Sequence, residues 1–107
     1  MPTYNKLVRD RIPEIIANSG KGYRAQVLSE DEYIKELQKK SIEELNEYLS
    51  SASDQEAIEE LADVLEILHA LAKLHGSSFA EVEAIRKAKA EKRGSFNERI
   101  FLVDVEG

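Results

Sequence analysis

Apolar residues recur along this chain at the three-to-four-residue interval that lines one side of an α-helix, and breaks in that rhythm divide it into four segments. Residues 10–18 carry Ile12, Ile15 and Ile16 as a stripe. Asp10 stands where a cap is wanted, Pro13 is tolerable in the first turn, and Ser19-Gly20 stops the helix. Ser29 with Glu32 has the spacing of a capping box and starts a second helix to about residue 50, with Ile34, Leu37, Ile42, Leu45, Tyr48 and Leu49 in helical period. At about 1.5 Å per residue this helix is 30 Å long. Ser53 with Glu56 repeats the signal for a third helix that runs to His75 and ends at Gly76. Its Ile58, Leu61, Ala62, Leu65, Leu68, Leu71 and Ala72 line one side, while Val64, Ile67, Ala70 and Leu74 fill much of the other. Such a helix needs cover on several sides. Ser78 with Glu81 opens a fourth helix bearing Phe79, Val82, Ile85 and Ala88, which ends near Gly94.

Short connections between long amphipathic helices imply antiparallel neighbours. The expected fold is therefore all-α: an antiparallel four-helix bundle with short extended segments, one domain over residues 1–107, completed by oligomerisation because one layer of helices leaves the third uncovered. The extended segments are "KGYRAQVL" at 21–28, which alternates weakly and reads as a connection or a lone strand, and the tail "ERIFLVDVEG", which resembles a short strand that would give the first a partner.

Composition narrows the chemistry. The absence of cysteine removes disulfides, thiolate ligands and a thiol nucleophile, so any metal must be held by oxygen or imidazole. Fifteen Lys and Arg against 21 Asp and Glu give a net charge of −6, which argues against a grip on long nucleic acid. The N-terminal residues lack the apolar run of a signal peptide, and no 18 apolar residues run together, so a cytoplasmic protein with no membrane partner is expected.

The acids are patterned. Glu44 and Glu47 lie three apart late on the second helix, and Glu60 and Asp63 lie three apart early on the third; each pair shares a helix face, and an antiparallel hairpin brings both pairs to a comparable height. Like charges held that close need a compensating cation. Carboxylate-only ligation suits Mg²⁺, with Mn²⁺ as a substitute, and Mg²⁺ takes much of its remaining coordination from water and substrate phosphate. The same spacing also fits a solvated acidic face. What favours the metal is that Leu61, Ala62, Val64 and Leu65 surround the second pair.

Lys89 and Arg93 stand four apart at the end of the fourth helix, with Lys92, Phe96 and Arg99 close by, and Lys6, Arg9 and Arg11 form a second basic group. Either group can clamp phosphate; the first equally suits complementing a helix dipole. His75 reads as a helix-end residue and His69 as partly buried with a hydrogen-bond partner. Neither has a ligand companion at metal-binding spacing, and no Walker loop or GxSxG elbow is present.

Three stretches, "YNKLVRDRIPEII", "EELNE" followed by "EELAD", and "KAEKRGSF", together resemble the all-α nucleoside triphosphate pyrophosphohydrolase superfamily, in particular its MazG-like and phosphoribosyl-ATP pyrophosphohydrolase-like branch. Its ExxE, spacer, ExxD signature falls on Glu44, Glu47, Glu60 and Asp63. The resemblance implies a helical-bundle hydrolase, dependent on Mg²⁺, that cleaves a nucleotide between its α and β phosphates, releases a nucleoside monophosphate and pyrophosphate, serves nucleotide-pool housekeeping and works as a homodimer or homotetramer. Lys89, Arg93 and Phe96 fall on a K-x-x-x-R-G-x-F element that serves the substrate, with Lys6 and Arg9 as further substrate-binding candidates. Tyr4 or Phe96 can stack on a base, and Glu43 and Glu59 are candidates for a supporting or general-base role. Two other readings share these features: hydrolysis of phosphoribosyl-ATP in histidine synthesis, and a non-catalytic dimeric module that senses nucleotides.

Overall fold

The computed structural model describes residues 3–107 and contains, among them, four α-helices and no strand: α1 (Ile12–Asn18), α2 (Glu30–Leu49), α3 (Asp54–Leu74) and α4 (Phe79–Arg93). The signals that start and stop these helices are local. Ser29 caps α2 by accepting from the Glu32 amide while the Glu32 side chain reaches back to the Ser29 amide, a complete capping box. Ser53 and Ser78 cap α3 and α4 in the same way, but Glu56 bonds the amide of Ala52 rather than that of the cap residue. The end of α3 is a Schellman turn: the Ser77 amide reaches the Ala72 carbonyl at 3.0 Å and the Gly76 amide that of Lys73 at 3.0 Å, with Gly76 at φ +73°. That left-handed backbone is why a glycine follows His75.

The start of α1 differs from expectation. Its cap position is Arg11, with no side-chain cap bond, and Asp10 lies one residue too early to serve. Of the readings of the two expected extended segments, the strand is corrected: residues 21–28 and 99–107 run without helix or ladder, and 21–28 is a connection. A strand needs a partner for its amides and carbonyls, and no main-chain hydrogen bond joins these two segments.

Packing is concentrated in one antiparallel pair, α2 against α3, and α4 meets α3 at its first turn, where the Phe79 ring stacks on His69 at 4.0 Å between centroids. His69 is therefore an exposed stacking partner, with no hydrogen bond among the described residues, rather than the partly buried, hydrogen-bonded group expected. Leu37, Ile67 and Ala72 are the buried apolar side chains among the described residues, and Glu44 is the buried polar one. Of the two stripes on α3, the one with Val64, Ile67 and Leu74 turns inward. The other is covered at its end, at Leu71 and Ala72, but stays open from Ile58 to Leu68, with Ile58 64% and Leu61 48% exposed.

Dimensions show how little of the chain this pair covers. The radius of gyration is 18.4 Å, where a compact chain of this length has about 13 Å. The exposed area is 9806 Å², against about 6,000 Å² for a compact protein of this mass. Among the described residues no helix is long and apolar enough to cross a membrane.

With so small a core, each member counts. Truncating Leu37 to alanine should cost about 2–5 kcal/mol in urea unfolding, because the side chain is buried against α3 and a cavity remains. Ser29→Ala should cost about 1 kcal/mol through loss of the capping box.

Candidate metal centre

The α2–α3 turn places Glu44 and Glu60 at similar chain distances from its midpoint, so the antiparallel pairing sets them opposite one another. One oxygen from each of Glu44, Glu47 and Glu60 lies within 4.8 Å of the other two. Glu44 is 7% exposed, Glu60 is half-buried and Glu47 opens to solvent, so the cluster grades from the α2–α3 seam outward. Two of its oxygens, Glu44 Oε2 and Glu60 Oε2, are buried and have no hydrogen-bond partner.

The cation supplied from within the chain is Lys40, whose Nζ lies 3.4 Å from Glu44 Oε1 and 3.6 Å from Glu43. One ammonium therefore serves two carboxylates while two more stand nearby. Burial pushes the Glu44 carboxyl above its ordinary value and the neighbouring Glu47 carboxylate adds to the rise; Lys40 offsets part of it. Lys40 was not picked out from the sequence. Its signal was available in the four-residue spacing to Glu44, although a lysine preceding a glutamate is the weaker order for a helix pair.

Asp63, expected as the fourth ligand, stands outside the cluster. Its Oδ1 accepts a 2.7 Å hydrogen bond from the Arg9 guanidinium, which also approaches Glu66 at 4.0 Å. Three of the four expected carboxylates converge in this structure, and the segment before α1 brings a guanidinium to the fourth. Both partners are about half-exposed, so as a surface ion pair the contact is worth at most about 1 kcal/mol. It fixes a position more than it adds stability.

The other basic candidates fall in two places. Lys6 joins Lys39 and Lys40 around a recess of about 110 Å³ that Tyr4 and Glu43 also line, and Lys6 Nζ stands 6.0 Å from the Tyr4 ring centroid. Arg93 and Phe96 border a separate open recess of about 530 Å³ with Arg99, and Phe96 is 98% exposed. Lys89 is exposed on α4 and, with Arg93, forms no ion pair among the described residues. The structure therefore brings together Glu44, Glu47 and Glu60, sets Arg9 and Asp63 alongside, and leaves Lys89, Arg93 and Phe96 in a group of their own.

No family model matches the sequence, and no curated protein or solved structure matches it either.

The raised Glu44 carboxyl makes a signed prediction for metal-free protein. In the unfolded chain the group titrates at its ordinary value, so above the raised value folding must hold a charge that the seam disfavours. That cost is relieved as pH falls from the raised value to the ordinary one, and below both it is gone. In excess EDTA, Glu44→Gln should melt higher than the parent protein at neutral pH, and the difference should shrink on acidification towards about pH 4. Thermal melts across that range test it.

Proposed function

We propose that this chain is an Mg²⁺-dependent nucleotide pyrophosphohydrolase that cleaves between the α and β phosphates of a nucleoside triphosphate, and that it acts as an assembly of two or more copies. The observation that carries the reading is the pair of buried, unpartnered oxygens of Glu44 and Glu60 within a three-glutamate cluster. A buried carboxylate oxygen with no donor costs free energy that a divalent cation recovers, and an all-oxygen donor set suits Mg²⁺ or Mn²⁺. Glu44, Glu47 and Glu60 hold the ion. When bound, Mg²⁺ neutralises phosphate charge and makes water a better nucleophile at neutral pH.

The chain's own residues supply the rest. Lys6 and Lys39 offer ammonium groups to phosphate oxygens in the recess they share with Lys40, and Arg9, held by Asp63, adds a planar donor beside the acids. Tyr4, 71% exposed in the same recess, is available to stack on a base. Water adds across the α–β anhydride, and the pyrophosphate that leaves carries charge next to these cations. Lys89, Arg93 and Phe96 complete the substrate contacts in the assembled protein. Assembly is supported by the excess exposed surface and by the open stripe of α3, where Leu65 and Leu68 stay more than two-fifths exposed. The cytoplasm is the proposed location; among the described residues no helix is long and apolar enough to cross a membrane.

Pyrophosphate release from a panel of nucleoside triphosphates and phosphoribosyl-ATP, with and without Mg²⁺, tests the reading and identifies the preferred substrate. Glu60→Gln should reduce turnover by about 100-fold or more while light scattering shows the same assembly. Mg²⁺ should raise the melting temperature of the parent protein, by an amount equivalent to about 2.7 kcal/mol at 100 times Kd, and leave that of Glu44→Gln unmoved. A flat melting curve together with no pyrophosphate from any nucleotide would identify the cluster as an ordinary solvated acidic face.

A further inference from the structure

Residues 21–28 and 99–106 are the two stretches of this chain that look unfinished. Among the described residues, no main-chain group of 22–28 or 99–106 makes a hydrogen bond to another main-chain group. Both display large apolar side chains: Val27 is 100% exposed, Phe101 89%, Val103 83% and Val105 75%. Apolar and polar residues alternate over 22–27 and 103–106, Ile100 to Val103 form a continuous apolar run, and valine, isoleucine, tyrosine and phenylalanine, which favour strands, are concentrated in the two stretches.

We propose that residues 21–28 of one copy pair with residues 99–106 of a second copy as an antiparallel β-ladder, so that each copy lends its tail to the other. The inference rests on the reading that the chain assembles. An antiparallel register that sets Ala25 opposite Val103 also sets Tyr23 opposite Val105 and Val27 opposite Phe101 on one face. On the other face it sets Leu28 opposite Ile100 and Arg24 opposite Asp104, joining an apolar pair and an opposite-charge pair. Sliding the tail by one residue would put Arg24 opposite Val103 or Val105 and exchange the faces of the whole set. Charge favours the match more broadly. The first segment carries Lys21 and Arg24, whereas the second carries Asp104 and Glu106 against Arg99.

The partner is a second copy because the two segments stay unpaired within one chain, and because the chain exposes far more surface than a compact protein of its mass. Exchange between two copies is reciprocal, so a two-fold dimer contains two such ladders and leaves neither tail unpaired. A two-stranded ladder is marginal in water by itself. The open stripe of α3, Ile58, Leu61, Leu65 and Leu68, provides an apolar floor for the face that carries Val27, Phe101, Val103 and Val105.

The chain has no cysteine, so introduced thiols have no competitors. Under mild oxidation the double variant Val27→Cys/Phe101→Cys should give a covalent dimer on a non-reducing gel. Val27→Cys/Leu102→Cys, whose thiols lie on opposite faces, should not. Hydrogen exchange of the unmodified protein, which does not depend on any variant folding, should show slowed amides in both segments. A disulfide-linked monomer from the first variant would overturn the exchange between copies. So would fast exchange in both segments of a protein that light scattering shows to be dimeric, and that result would leave the assembly standing. A monomer by light scattering would overturn the ladder and the assembly together, whereas pyrophosphate release reports on the metal centre separately.

Discussion

The α2–α3 seam holds the molecule together and also carries its most costly group. Leu37 and Ile67 give that seam its apolar contact, and Glu44 is buried along it with a single lysine as counterion. Because the helices are antiparallel and joined by a short turn, the packing that buries Leu37 also brings Glu60 opposite Glu44. Separating the carboxylates would mean opening the best-packed interface among the described residues. Stability and electrostatic cost are therefore coupled, and a cation that relieves the second strengthens the first.

Positive charge is distributed unevenly around this seam. Lys40 is committed to Glu43 and Glu44, and Arg9 is committed to Asp63 and approaches Glu66. Lys6 and Lys39 share a recess with Lys40, so cations suited to phosphate stand next to acids suited to Mg²⁺. Under the proposed function, this adjacency suits a metal–phosphate pair, since each component alone would be repelled by one half of the site. Asp63 anchors the Arg9 guanidinium beside the cluster.

The surface left open by one chain has a common character. The uncovered stripe of α3, the exposed Ile42 and Leu49 of α2, and the apolar tail all belong to elements whose other side is already used or absent. A chain of this size that buries three apolar residues among those described falls short of the hydrophobic gain that folding ordinarily needs to offset chain entropy. The proposed ladder and the proposed assembly address one deficit, and both place the partner copy's apolar groups against surface that this chain cannot cover.

Local chemistry made most of the helix boundaries legible in the sequence. Ser29, Ser53 and Ser78 with acids three residues on start helices, and Gly76 in a left-handed conformation stops one, because caps are made by residues within one turn of each other. The convergence of Glu44, Glu47 and Glu60 was legible too, since it follows from helical spacing and one short turn. Three features were not. Asp63 has the same spacing as the others, but its partner comes from Arg9, 54 residues away in sequence, and no local pattern encodes that meeting. Asp10 looked like a cap, yet the chain enters α1 at Arg11. The two strand-like segments have strand composition without a ladder, because composition sets a preference for extended backbone while pairing depends on what lies alongside in space. The sequence by itself determined the helices and the charge they carry; which acid meets a cation, and which apolar face stays open, were decided only when distant segments were packed together.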